Sequence, residues 1–526
     1  MPYSGNWSEM PTRTPRQLLI GLDAMEWTLV LRWANEGKLP AFRELLEQGA
    51  RVELSSTAAQ LPDTVWHAIH SGTNPARFAK YFYVQYDPES GDLRMLDEET
   101  GITPFWEHLS TAGTRVGLLD APKSPVTRKI AGFHLANWGA HGAQIVRASN
   151  PPGLLGEIDE RFGPHPVSDC DAVDKKPKSL WRLRRRLLDG VRLRGKVCRH
   201  LMEREDWDVF FAGFSEMHCA GHHFWRFHDA LDPQHDATDS AGLRDTVEAV
   251  YRAVDREVAE ILRLAGPNTR CLLFAGHGMG TLQHASWNLQ EILDLLGFGK
   301  DGIRRMPESR AADARVNPWR LLKMSLPGRL QYAVKKMLPK RLQNELIFRW
   351  YAGGRDWPGC RAIAIPNNES AGAIRILVEG RDRRGTVAQG AEYRRVRDGI
   401  AAALGELIDP RTGRKVVRQV SFPQEAFHGP FQDQLPDLTV LWDQSFVWDE
   451  MASPQIGRLK LRRQDSRNGS HTPYGFLLAR GYGEHPGTEL ARATLYDIAP
   501  TILSAAGVDV PEGMEGRPLF AGLEVA

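Results

Sequence analysis

The chain has 526 residues, 42% of them hydrophobic, which is enough for more than one average domain and a large core. Its net charge of +2 is too close to balance for nucleic acid to be the expected partner. Five scattered cysteines form no disulfide framework, no run of about 18 apolar residues suggests a membrane span, and the N-terminal MPYSGNWSEMPTRTPRQ lacks the apolar region of a signal peptide, so a cytoplasmic location is expected.

Short apolar runs that end in turn residues predict buried strands. In chain order they are RQLLIGLDAMEW, GTRVGLLDAP, WDVFFAGF, RCLLFAGHG and PDLTVLWD. Stretches with apolar residues at helical spacing, such as RDTVEAVYRAVDREVAEILRLAG, separate them and predict helices. This alternation predicts an α/β fold in which a mostly parallel sheet carries helices on both faces. Ligands of such sheets bind at the carboxyl ends of the strands.

Two basic segments interrupt the alternation. Residues 174–200 are strongly basic, and residues 315–350, within a wider region at 300–360, are basic and amphipathic with proline breaks. Both predict helical insertions attached to one domain that spans 15–526. Such insertions form either a solvated cap over the site or a surface for an anionic membrane or a lipid-linked substrate.

Polar residues with metal-binding side chains follow several predicted strands. In FSEMHCAGHHFWRFHD, His218 and His222 are four residues apart and would share one face of a helix. His277 lies between two glycines in FAGHGMG, His471 lies in the polar loop RNGSHTPYG, and Asp23 follows the first strand. Each histidine alone could equally be an ordinary core residue rather than a metal ligand. Together they predict a site for Zn²⁺ or a similar cation, with manganese or iron as alternatives.

Six segments in a fixed order carry the most specific pattern of the chain. They are IGLDAMEW…NEGKLPAFRELLEQGA, DTVWHAIHSGTNPA, HCAGH, GHGM, GSH and TLYDIAPTILSAAGVDVPEGMEGRPLF. In this order they resemble the alkaline phosphatase superfamily, and within it the type I phosphodiesterase/nucleotide pyrophosphatase family. The resemblance implies a single alkaline-phosphatase-like catalytic domain with one or two divalent metal ions.

The resemblance also implies individual roles. Asp23 and His277 would bind one metal ion, and His222 and His471 would bind the other. Thr64 would be the nucleophile and would contact the first of these ions. A helix cap is the other interpretation of Thr64, since DTVW after Pro62 looks like a helix start. Asp63 beside it is the rival candidate for the nucleophile.

The sequence departs from the family pattern at four places. His218 and Gly276 stand where the family usually has aspartates. Thr64 lies closer to SGTNPA than the family's nucleophile does, and Phe78-Ala79 replaces a His-Gly pair.

These departures change the expected metal sites. With His218 added, the site of His222 and His471 would consist of three imidazoles. These neutral ligands leave the full charge of a cation on its other ligands. The other site would keep only Asp23 and His277 beside the nucleophile. One or two ions are therefore expected. Glu216, in the same segment as His218, is a further possible ligand.

Three more residues are candidates for substrate contact. Asp63 and Lys80 flank the predicted nucleophile segment, and His141 lies in the glycine-flanked turn NWGAHG. A lysine there could neutralise a phosphate oxygen, although a solvated lysine is the common alternative.

The predicted function is metal-dependent hydrolysis of phosphate esters, with diesters as first choice and a covalent phospho-threonine intermediate. Monoester phosphatase, sulfatase and phosphotransferase are alternatives within the superfamily, although the chain has no C-x-P-x-R motif for a sulfatase. A non-catalytic binding protein is the alternative from another class. A phosphate-ester substrate is the expected partner.

Overall fold

The computed structural model describes residues 15–520 except 79, 96–100, 140–145, 168–175, 233, 300–341, 343–358, 368 and 463–466. Its strands are β1 (Gln17–Leu22), β2 (Ala50–Ser55), β3 (Val84–Asp87), β4 (Asp92–Met95), β5 (Val116–Leu119), β6 (Gly132–Ala136), β7 (Ala148–Asn150), β8 (Val209–Phe214), β9 (Arg270–Ala275), β10 (Gly278–Thr281), β11 (Ala362–Ile365), β12 (Ala371–Ile376), β13 (Val417–Ser421), β14 (Leu438–Trp442), β15 (Glu450–Ser453), β16 (Gly457–Lys460), β17 (Gly469–Thr472), β18 (Tyr474–Arg480), β19 (Thr488–Glu489) and β20 (Ala493–Thr494).

The α-helices of the same residues are α1 (Trp27–Asn35), α2 (Pro40–Gln48), α3 (Val65–Ser71), α4 (Phe105–Thr111), α5 (Leu154–Phe162), α6 (Pro177–Arg204), α7 (Glu216–His228), α8 (Thr246–Ala265), α9 (Leu289–Leu295), α10 (Ala391–Gly405), α11 (Pro423–Ala426) and α12 (Ile498–Ala505). Among these described helices, none has both the length and the apolar character that crossing a lipid bilayer demands.

The main sheet has the strand order β19-β2-β18-β9-β1-β8-β5-β6-β7, with β20 also paired to β2. Its five central strands, from β9 to β6, are parallel, and β18 is antiparallel to both of its neighbours. The predicted α/β fold with a mostly parallel sheet is therefore confirmed.

Helices cover both faces of this sheet, as predicted. Alternate residues of β1 point to opposite faces, so Leu18 and Ile20 pack into one hydrophobic core and Leu19 packs into another. The first core includes residues of α1, α2, α6, α7 and α8, and the second includes residues of α3, α4 and α12. This burial on both faces explains why the central strands are continuously apolar in sequence.

A smaller antiparallel sheet has the order β11-β12-β14-β13 and its own core, to which α9 and α10 contribute. Its strand β14 is the segment PDLTVLWD, which the alternation of strands and helices placed in the parallel sheet. That placement was wrong. The run is apolar enough for either sheet, and the sequence does not show which strands it pairs with.

The basic segment at 174–200 was expected to form a helical insertion outside the sheet. The helix is present as α6, but Leu183, Leu187 and Val191 on its apolar face are buried in the main core. It is therefore a layer of the domain rather than a separate cap. Its outward face exposes Lys178, Arg182 and Arg185, and contact of this face with an anionic membrane stays a prediction that retention on anionic vesicles would test.

The predicted cap at 300–360 falls largely on residues outside the described part of the chain.

Candidate functional site

The carboxyl ends of three neighbouring parallel strands form the edge at which the candidate site lies. Asp23 directly follows β1, α7 begins two residues after β8, and His277 follows β9 after one glycine. Because β1 pairs with both β8 and β9, these three ends are adjacent. The backbone N–H of Asp23 donates to the carbonyl of Phe214, the last residue of β8 (2.9 Å).

A short antiparallel pair brings the fourth histidine to this edge. Strand β10 begins directly after His277 and pairs with β17, which places His471 opposite Met279. The rings of His277 and His471 stack with their centroids 4.2 Å apart. The carboxylate of Glu26 accepts from the N–H of Met279 and from the hydroxyl of Thr472, so it joins β10 to β17.

Three imidazole nitrogens converge within this arrangement. His218 and His222 lie on one face of α7, as their spacing predicted. The Nε2 atom of His218 is 3.0 Å from Nε2 of His471 and 3.1 Å from Nε2 of His222. All three side chains are buried, and their ligand atoms lie within 4.8 Å of one another. Three nitrogens on a tetrahedral zinc ion would be about 3.3 Å apart, so the spacing fits a metal ion.

The polar contacts behind these rings support the same conclusion. His222 Nδ1 lies 2.7 Å from the Gly469 carbonyl, and His471 Nδ1 lies 3.0 Å from Glu369 Oε2. A neutral imidazole that donates from Nδ1 carries a lone pair on Nε2. Two such lone pairs face His218 Nε2, whose single N–H could satisfy only one of them. A cation between the three nitrogens satisfies them all.

Two glycines allow α7 to approach β17 this closely. A Cβ atom on Gly469 would lie 2.3 Å from the Gly221 carbonyl oxygen, and one on Gly221 would lie 2.5 Å from the side chain of Met279. A larger residue at 469 would push β17 away from α7, whereas one at 221 would displace the Met279 side chain on β10. The contact from His222 to the Gly469 carbonyl depends on this approach.

Glu369 is a residue of the site that the sequence did not reveal. It lies in the connection between β11 and β12 of the smaller sheet, and it is buried. Burial alone would raise the pKa of its carboxyl, but His471 and Arg467 nearby outweigh this effect and hold the pKa below its ordinary value. The polar run NNES between two apolar runs was the only hint in the sequence.

The remaining predicted metal ligands form a poorer set. His277 Nε2 lies 3.7 Å from Asp23 Oδ1, and that same oxygen accepts a hydrogen bond from Trp66 Nε1 (2.8 Å). Burial, with His471 adjacent, lowers the pKa of His277 well below its ordinary value, so the ring is neutral. At Gly276 a side chain has no room, since its Cβ would lie 2.3 Å from Val65 Cγ1.

Thr64 lies at the start of α3 and is fully buried. Its hydroxyl donates to the Leu61 carbonyl (2.6 Å) and lies 2.8 Å from Thr57 Oγ1, and it does not cap the helix. Asp63 accepts from the N–H of Tyr83 (3.0 Å) and lies 3.6 Å from Lys123 Nζ.

The other candidates are spread more widely. Lys80 is buried and close enough to contribute to the lowered pKa of His67, to about 3, which burial chiefly causes. Glu216 makes its contacts away from the three nitrogens: it accepts from Arg194 Nε (2.8 Å) and lies 2.9 Å from His165 Nε2. His141 falls outside the described residues.

Comparisons with known proteins bear on this site. No curated protein matches the sequence. Among solved structures, a murine ectonucleotide pyrophosphatase/phosphodiesterase 5 is 12% identical with a TM-score of 0.48, and phosphonoacetate hydrolase from Sinorhizobium meliloti, in complex with phosphonoacetate, is 14% identical with a TM-score of 0.49. Each comparison covers 94% of this chain and 96% of the other.

The match to a protein family is the decisive comparison. Residues 17–473 match the family described as type I phosphodiesterase / nucleotide pyrophosphatase. This range includes Asp23 and all four histidines of the site, the smaller sheet, and every strand of the main sheet except β18, β19 and β20. The chain therefore belongs to the type I phosphodiesterase / nucleotide pyrophosphatase family.

Proposed function

We propose that this protein is a metal-dependent hydrolase of phosphate esters and that diesters are its preferred substrates. Membership of the family supports hydrolysis of phosphate esters in general. The observation that carries the metal dependence is the convergence of the Nε2 atoms of His218, His222 and His471 in a buried site. Three imidazole donors suit zinc, with manganese or iron as alternatives.

The residues around this centre hold and orient it. Gly469 and Glu369 fix two of the rings from behind, which sets the direction in which each Nε2 faces. A bound divalent cation would supply positive charge to the phosphoryl oxygens of the substrate. Stacking of His277 against His471 excludes water from that side of the ring.

Thr64 is the proposed nucleophile. Attack by its Oγ1 on phosphorus would form a phospho-threonine and release the alcohol, with the hydroxyl proton leaving in that alcohol. With a diester, the second ester group stays on phosphorus, so water would then release a phosphate monoester and restore the threonine hydroxyl. Because this hydroxyl donates to the Leu61 carbonyl in the structure, attack requires that this hydrogen bond break.

Hydrolysis of two chromogenic substrates tests the proposal. We expect the zinc-loaded protein to show a higher kcat/KM for bis(4-nitrophenyl) phosphate than for 4-nitrophenyl phosphate. His222→Ala should lower kcat/KM for bis(4-nitrophenyl) phosphate on the order of 100-fold, since the positive charge facing the phosphoryl group is lost.

His228→Ala, on the same helix but packed against Trp33, is the matched control and should keep activity. Thr64→Ala should be inactive, whereas Thr64→Ser should retain turnover. Full activity in His222→Ala would overturn the proposed site. Full activity in Thr64→Ala alone would reject only the phospho-threonine.

A further inference from the structure

We infer that this chain binds a single metal ion, at His218, His222 and His471, and that the second metal position expected from the family resemblance does not form. The inference rests on the proposed function, because it assumes that the three-histidine site binds a cation. It concerns the donors at the Asp23 side of the site, among the residues that the structure describes.

The first reason is steric. The resemblance places a metal-binding aspartate at position 276, where this chain has glycine. A Cβ atom there would lie 2.3 Å from Val65 Cγ1 and 2.8 Å from Ile69 Cδ1. Both atoms belong to α3, whose apolar side chains fill the space that a carboxylate would need. The packing of α3 against the end of β9 therefore leaves no space for an aspartate at position 276.

The second reason is the number of donors that remain. Asp23 Oδ1 and His277 Nε2 are 3.7 Å apart, but Trp66 Nε1 already donates to that oxygen. Thr64, the third donor that the resemblance implies, offers only a neutral hydroxyl, which is held at the Leu61 carbonyl. Within the described part of the chain, Asp23 and His277 are then the remaining donors, fewer than the three protein ligands that a zinc site ordinarily requires.

The third reason is electrostatic. Two divalent cations repel roughly four times as strongly as two unit charges at the same separation. Paired metal sites reduce this repulsion with carboxylates. Here the two positions at which the resemblance places aspartates carry His218 and Gly276, so two negative charges are missing. Among the carboxylates that the resemblance implies for the metal ions, Asp23 is the one that remains to compensate for a second ion.

His277 then has a different task from metal binding. Its ring stacks on His471 with 4.2 Å between the centroids, and it holds that ligand in place from one side. A variant of His277 should therefore keep the ion, whereas a variant of His222 should lose it. This contrast separates a single site from a pair.

The test is the zinc content per chain, measured by plasma mass spectrometry on tag-free protein that was saturated with zinc and then freed of unbound metal. We expect one zinc ion per chain in the wild type and in His277→Ala, and none in His222→Ala. Two ions in the wild type, falling to one in His277→Ala, would overturn the inference and leave the proposed function standing.

Absence of zinc from the wild type would overturn the proposed function itself. If the wild type binds one ion that His277→Ala loses and His222→Ala retains, the ion lies at the Asp23 side of the site, and the inference is overturned.

Gly276→Asp gives an independent readout. This variant should still bind one ion and should have a lower Tm than the wild type, because its side chain collides with Val65. A second ion in Gly276→Asp at an unchanged Tm would contradict the steric reason.

Discussion

Glu369 fixes the direction in which His471 presents its Nε2 atom. Its carboxylate lies 3.0 Å from His471 Nδ1 and also accepts a hydrogen bond from Ser470 (3.3 Å). The Glu369 backbone carbonyl accepts from Ser286 (2.7 Å). A carboxylate held this way orients a histidine ligand and increases its basicity.

We therefore predict that Glu369→Ala weakens zinc binding about 10- to 100-fold. The dissociation constant, measured by competition with a fluorescent chelator, checks this. Glu379→Ala, which removes an exposed carboxylate at the end of the same sheet, is the matched control. Equal affinities in the two variants would show that Glu369 does not act through His471.

Individual residues of the site differed in how well the sequence revealed them. The spacing of His218 and His222 predicted a shared helix face, because helical periodicity is a local property. The hydroxyl direction of Thr64 could not be predicted, since the rotamer depends on the Leu61 carbonyl and on Thr57. Glu369 was missed because its contact with His471 is made only by the tertiary structure.

At the scale of elements, α2 shows how one helix stabilises the start of another. Helix α2 begins at Pro40, and its N-cap residue Leu39 has no side chain that can accept a hydrogen bond. Asp255 on α8 supplies the missing acceptor, because its Oδ1 accepts from the N–H of Phe42 (3.0 Å). Burial raises the pKa of Asp255 from 3.8 to about 6 despite this bond.

This raised pKa makes the stability depend on pH. Well below pH 3.8 the carboxyl is neutral in both the folded and the unfolded chain, and its contribution to the free energy of unfolding is fully present. As the pH rises towards 6, the unfolded chain ionises first and the contribution is lost. The substitution Asp255→Asn would keep the acceptor oxygen but remove the ionisation.

The free energy of unfolding of Asp255→Asn, minus that of the wild type, should thus increase by about 2 kcal/mol between pH 4 and pH 8. Urea unfolding at several pH values measures this difference. A difference that is constant with pH would contradict the assignment.

The elements themselves were predictable to the extent that their pattern is local. The apolar runs became β1, β5, β8 and β9 of the parallel sheet because these strands are buried on both faces. The pattern failed for β14. Amphipathicity shows that α6 buries one face, but not that this face packs into the main core.

At the scale of the whole molecule, the topology gathers a site from residues far apart in sequence. His218 and His471 are separated by 253 positions, yet their Nε2 atoms lie 3.0 Å apart. Adjacent parallel strands bring Asp23, α7 and His277 to one edge, which the sequence predicted. The pairing of β10 with β17 and the contribution of the smaller sheet through Glu369 were not predictable, because they depend on long-range contacts.

A cation between His218, His222 and His471 is central to the proposed function. Anomalous diffraction at the zinc absorption edge, from crystals of the zinc-loaded protein, tests this directly. We predict one strong anomalous peak, about 2 Å from the Nε2 atom of each of the three histidines. No peak at this position in zinc-loaded crystals, or a peak bound by other side chains, would contradict the account.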